Sequence, residues 1–148
     1  MKLAAFLTGI FSLVLFLSFT IKPKNSLRDD VLKYTNEFRR SHKLGALEMN
    51  VDMNSIAQKH SQDMAAGKIG FGHDGFSKRT DQIKKKLKYC GSFAENVAFG
   101  VSTGKDAVEL WKTSEGHRKN MLGAYKYIGI GVATGKNGQT YFTQIFAQ

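Results

Sequence analysis

Apolar residues fall first in one uncharged run, then at helical spacing, and last at strand spacing. Leu3 to Ile21 carries no charged residue, with Lys2 before it and Lys22-Pro23-Lys24 after it. A positive start, an apolar run and the small residues Ser18 and Thr20 before a cut after Thr20 form the layout of a secretory signal over 1–20. At 19 residues the run is also long enough to cross a bilayer as a retained anchor. Both readings put the rest of the chain, a domain expected over 27–148, outside the cytoplasm.

From Ser26 the period becomes helical. Ser26 and Asp29 form a capping-box pair, and Leu27, Val31, Tyr34 and Phe38 follow at spacings of four, three and four. They predict a helix over 26–42. Asn50 caps a second helix with the inner stripe Met53, Ala57, His60 and Met64, and Gly67 stops it. Ser77 to Lys88, with Ile83 and Leu87, predicts a third. Thr103 with Asp106 opens a fourth, whose inner face is read as Ala107, Leu110, Trp111 and Ser114, closed by Gly116. His117 to Leu122 adds one more turn. The period then drops to two: Ile128, Ile130 and Val132 alternate with small residues, Gly135 to Gly138 turns, and Tyr141 to Phe146 alternates again. That is an antiparallel hairpin. Phe93 to Phe99 is a weaker strand. The fold class is α+β, with helices packed on a small sheet.

Composition narrows the functional classes. At 148 residues the chain has room for one domain. Its 22 Lys and Arg outweigh 12 Asp and Glu, so the partners it favours are anionic. One cysteine, Cys90, excludes an internal disulfide framework and a Cys-rich zinc module; it reads as a small buried apolar residue. The basic residues cluster between Ser77 and Phe93, around Lys84, Lys85, Lys86 and Lys88. This run is either a solvated face or a patch for an anionic membrane or envelope surface. Nucleic acid is a poor partner outside the cell, and no aromatics interleave these lysines as a stacking platform requires.

The candidate chemistry lies between His73 and His117. Four segments stand out: Phe71-Gly-His-Asp-Gly-Phe76, Ala94-Glu-Asn-Val-Ala98, Trp111 to Leu122, and Tyr141-Phe-Thr-Gln-Ile-Phe146. In this order and spacing, from about Leu27 to Gln148, the chain resembles the CAP superfamily of cysteine-rich secretory, antigen 5 and pathogenesis-related proteins. The nearest form is the bacterial SCP-like extracellular domain. The resemblance implies a three-layer α-β-α sandwich around a small antiparallel sheet. It also implies a cleft lined by His73, Glu95 and His117, with a divalent cation, such as zinc, held by His73 and His117. The family's second acidic residue falls three positions after the helix Trp, where this chain has Ser114, so the usual four cleft groups become three.

Weighed as residues alone, two imidazoles and a carboxylate suit zinc with an open position. His60 reads as a satisfied core histidine, Trp111 as a core anchor, and Asn96 and Gln144 as internal hydrogen-bonding groups. His42 reads as a helix-end cation. No Gly-x-Ser-x-Gly or His-Glu-x-x-His motif is present. The expected function is a non-enzymatic cleft binding a lipid-like or peptide ligand. One alternative is a zinc-dependent hydrolase with Glu95 as base. The other is a cationic surface-binding protein.

Overall fold

The computed structural model describes residues 26–87 and 91–148. The signal or anchor segment, Lys88 and Cys90 lie outside the described residues. Helix α1 (Leu27–Ser41) opens on the expected box: the Asp29 N–H donates to Ser26 Oγ at 3.2 Å and the Ser26 N–H to Asp29 Oδ2 at 3.3 Å. Asn50 caps α2 (Val51–Ala65) through the Met53 N–H, and Gly67 follows its end at φ 67°. Helix α3 (Phe76–Leu87) buries Ile83, as its spacing required.

Helix α4 (Gly104–Thr113) departs from expectation at its end. Ser114, extended at φ −97° and ψ 124°, both closes α4 and opens α5 (Glu115–Met121). Gly116 lies inside α5, and Leu110 is exposed. The buried stripe of α4 is Ala107, Val108 and Trp111.

The strands are β1 (Glu48–Met49), β2 (Phe93–Phe99), β3 (Tyr127–Thr134) and β4 (Thr140–Ala147), in the order β1-β3-β4-β2. β2, β4 and β3 run antiparallel, but β1 pairs parallel to β3. The sheet is therefore mixed, not purely antiparallel. A two-residue strand is too short to show a period of two, which is why the pattern missed it.

Alternation divides the core between the two faces of the sheet. Ile128, Ile130, Phe142 and Phe146 point one way, into a cluster with Val31 of α1 and Ala107, Val108 and Trp111 of α4. Ile145 points the other way, toward Met53 and Ala57 of α2 and Ile83 of α3. Three layers result. Gly129 and Gly131 face α2, and their missing Cβ atoms set the packing distance. A Cβ on Gly131 would stand 2.1 Å from the Ala57 carbonyl oxygen, and one on Gly129 2.4 Å from the Met53 carbonyl carbon.

Candidate functional site

Glu95 lies on β2, an edge strand, on the face turned toward α2 and α3. Its side chain is 1% exposed. A carboxylate so buried needs full compensation, and Arg79 of α3 supplies it. Arg79 Nε donates to Glu95 Oε2 and Nη2 to Oε1, both at 2.7 Å. This is the bidentate fork that a planar guanidinium makes with a carboxylate. The same guanidinium holds the loop before α3, donating to the carbonyl oxygens of Asp74 at 2.8 Å and His73 at 3.3 Å. Sequence reasoning counted Arg79 only as one charge of a basic run. The available signal was its place three residues after Phe76, which turns it inward beside Ile83.

His73 completes the cluster. Its Nδ1 donates to Glu95 Oε1 at 3.0 Å, while the ring is half-exposed. That bond leaves Nε2 as the free nitrogen, the arrangement in which a carboxylate orients a metal-binding imidazole. His60 also borders Glu95, at 4.0 Å from Oε1. It is buried, and its Nε2–H donates to the Gly72 carbonyl oxygen at 2.9 Å. Burial, and then the charge of Arg79, push the His60 pKa down, so the ring is neutral at neutral pH. This is the satisfied core histidine its helix position implied, and it also steadies the His73 loop.

His117 comes from the opposite layer, on α5. A polar network beneath it fixes that helix to the strand. Asn96 Nδ2 donates to the His117 carbonyl oxygen and to Gln144 Oε1, each at 3.1 Å. Asn120 Nδ2 donates to Asn96 Oδ1 at 2.9 Å, and Gln144 Nε2 to Thr35 Oγ1 at 2.7 Å. Asn96 and Gln144 thus tie the layers together, and Trp111 does the same with its Nε1 donating to the Val97 carbonyl at 3.0 Å. Burial, and then the neighbouring His73, hold the His117 pKa below the usual imidazole value.

The His73 and His117 rings stand 6.5 Å apart between centroids. Two imidazoles on one tetrahedral zinc place their centroids roughly 5 Å apart, so these rings would close by roughly 1.5 Å to share an ion. Among the described residues, no group of three or more His, Cys, Asp or Glu side chains is arranged to hold a metal. Glu95 faces Arg79, and Ser114 supplies no carboxylate.

Beyond His117 the cleft becomes apolar. A groove of about 250 Å³ is lined by Phe71, Val97, Phe99, Leu110, Ser114 and His117, among others. Phe71, Phe99 and Leu110 are 49%, 42% and 45% exposed. The Phe71 and Phe99 rings meet at 4.6 Å, and Phe99 stacks on Tyr141 at 5.8 Å. Ser114 makes no side-chain cap bond to α5, and it sits in this groove beside His117. None of the apolar lining was expected from the sequence.

The basic run proves less concentrated than its spelling. Lys84 lies 3.6 Å from Asp81 and Lys86 3.5 Å from Asp52, all of them exposed.

Known proteins resemble this chain in sequence or in fold. The Bacillus subtilis (strain 168) protein YlbC, named an uncharacterized membrane protein, is 33% identical over 130 residues. That match covers 84% of this chain and 35% of YlbC. The crystal structure of an extracellular protein containing an SCP domain, from Bacillus anthracis, matches with a TM-score of 0.71 at 29% identity. It covers 82% of this chain and 40% of that one, so the chain spans well under half of both relatives. An outer surface protein of Borrelia burgdorferi shares the fold at 17% identity, with a TM-score of 0.71 over 86% of this chain and 98% of that one. The model of the cysteine-rich secretory protein family, CAP, matches residues 32–146, and the chain belongs to that family.

Proposed function

We propose that the chain is an exported, non-enzymatic binding module whose cleft takes a lipid-like or peptide ligand, the lipid-like one favoured. The observation that carries this is the groove beside His117. Exposed large apolar side chains gathered in one concavity mark ligand or partner sites. Here Phe71, Phe99 and Leu110 surround one groove. The apolar N-terminal run supports export, as do relatives described as an extracellular protein and a membrane protein.

Glu95 supports binding over hydrolysis. A general base must aim a lone pair at its water. Both Glu95 oxygens are already engaged, by Arg79 and His73, and the group is buried. The surface-binding reading centred on Lys84, Lys85 and Lys86 loses weight because two of those three have acidic neighbours.

Substituting Leu110 tests the reading. Leu110→Asp puts a charge in the groove wall without disturbing the buried core. Its affinity for a single-chain amphiphile such as dodecylphosphocholine should fall about tenfold or more, the worth of one buried leucine. Affinity unchanged in Leu110→Asp, with folding intact, would sink the groove as the binding site.

The histidine pair supports a weak divalent site. His73, oriented by Glu95, and His117, kept neutral by its surroundings, would be the two ligands, and zinc would supply Lewis acidity. Calorimetry should give weak zinc binding at pH 7.5 that is lost in acid as His117 protonates, at a pH below the ordinary imidazole range. His117→Ala should abolish it. Zinc heats equal in wild type, His73→Ala and His117→Ala exclude the shared site.

A further inference from the structure

The two ends of the sheet differ, and the chain enters at one of them. Phe99, Tyr141 and Ala133 are register partners at one end; Phe93, Ala147 and Tyr127 are partners at the other. Helix α1 begins at the Phe99 end. A Cβ on Gly104, five residues after Phe99, would sit 2.6 Å from the Leu27 carbonyl oxygen. The helix finishes at the opposite end. There Arg39 donates to the carbonyl oxygens of Met121 and Gly123, each at 2.8 Å, just ahead of β3.

Only Lys22-Pro-Lys-Asn25 separates the Ser26 cap from the uncharged run Leu3–Ile21. Four residues reach at most about 14 Å. If that run sits in a bilayer, the Phe99 end is held within a headgroup layer's thickness of it. Three of the four large apolar residues exposed among the described residues gather around Phe99: Phe71, Leu110 and Phe99 itself. The fourth, Val51, opens α2 at the far end. Cations share the near end. Lys105 starts α4, Lys136 tips the hairpin, and Arg28 starts α1 with its Nη2 donating to Gln58 Oε1 at 2.9 Å; in the sequence, Lys22 and Lys24 precede that helix. Asp29 and Asp106 bond within their own helix caps, and Asp30, in the first turn of α1, is the third carboxylate of that end. The lysines of α3 lie at the other end, where Lys86 meets Asp52 in the first turn of α2.

We propose that the Phe99 end docks on an anionic lipid bilayer, with Phe71, Phe99 and Leu110 entering the headgroup layer and the groove open to it. Aromatic and aliphatic side chains with lysines at the same end of the fold are the chemistry of interfacial binding. The proposal rests on the groove taking lipid-like ligands and names the membrane as their source. It also sets an orientation opposite to one driven by the α3 lysines.

The test uses the full chain reconstituted in vesicles of phosphatidylcholine with phosphatidylglycerol, their acyl chains brominated to quench tryptophan. Leu110→Trp and Val51→Trp report the two ends, and buried Trp111 gives both the same background. Leu110→Trp should be quenched roughly threefold more than Val51→Trp, and less when phosphatidylglycerol is omitted. Equal quenching at both positions, or stronger quenching at Val51→Trp, overturns the docking. Octanoate titrated into unbrominated phosphatidylcholine vesicles reads groove filling separately, through the emission of the same Leu110→Trp protein. A response to octanoate with no bromine quenching refutes the docking and leaves the binding function standing. Quenching with no octanoate response supports the docking and removes the ligand.

Discussion

Arg79→Ala lowers the melting temperature by roughly 10–20 °C. The change removes the guanidinium that forks the Glu95 carboxylate, which is 1% exposed. Removing one partner of a buried ion pair costs about 3–5 kcal/mol, because the other charge remains desolvated. For a domain of this size each kcal/mol moves the midpoint by roughly 3–5 °C. The Asp74 carbonyl loses its side-chain donor at the same time, and the His73 carbonyl keeps only the Phe76 N–H. The His73 loop should therefore loosen even where the fold survives. Replacing both partners, Arg79→Met with Glu95→Leu, leaves no orphaned charge and should cost less than Arg79→Ala alone. Thermal denaturation of the single and double variants checks this. A loss below about 1 kcal/mol in Arg79→Ala would mean that the pair does not hold the site together.

Gly131→Ala destabilises by about 3 kcal/mol or more, the upper range of overpacking. The added Cβ meets the Ala57 oxygen at 2.1 Å, the Ala57 carbonyl carbon at 2.2 Å and the Gln58 nitrogen at 2.4 Å. All three are helix backbone, so no rotamer change relieves the clash and α2 must lift from the sheet. That movement also shifts His60 and Ser61, which hold the Gly72 carbonyl and Thr143. Gly116→Ala is the internal control. It has open space around its Cβ position and lies within α5, so alanine there should be neutral or stabilising by up to about 1 kcal/mol. Urea denaturation of the two variants separates the effects. A Gly131→Ala protein as stable as Gly116→Ala would contradict the close approach of α2 to β3.

These two residues also mark where the sequence was readable. Caps and long periodic stripes were plain, because Ser26, Asn50 and Thr103 act on their own helices and Met53, Ala57 and Met64 repeat locally. The hairpin and the three-layer class were likewise legible, the latter through the family resemblance. What stayed hidden depends on partners far along the chain. Gly129 and Gly131 looked like small members of a strand alternation until α2 lay against them. Arg79 looked like surface charge until Glu95, 16 residues on, was placed at hydrogen-bond distance. Leu110 sat at a helical spacing consistent with burial, yet the buried stripe of α4 runs through Ala107, Val108 and Trp111 and leaves it on the groove wall. β1 was too short to carry a pattern. The proximity of His73, Glu95 and His117 followed from resemblance, since 22 residues separate His73 from Glu95 and a similar stretch separates Glu95 from His117.

The groove beside His117 should bind an apolar ligand as a preformed site. Amide chemical shifts recorded while dodecylphosphocholine is titrated below its micelle concentration test it most directly. Saturating shifts should be confined to Phe71, Val97, Phe99, Leu110, Ser114 and His117, with α3 unmoved. Shifts centred on the Lys84–Lys86 turn, or none that saturate, would contradict it.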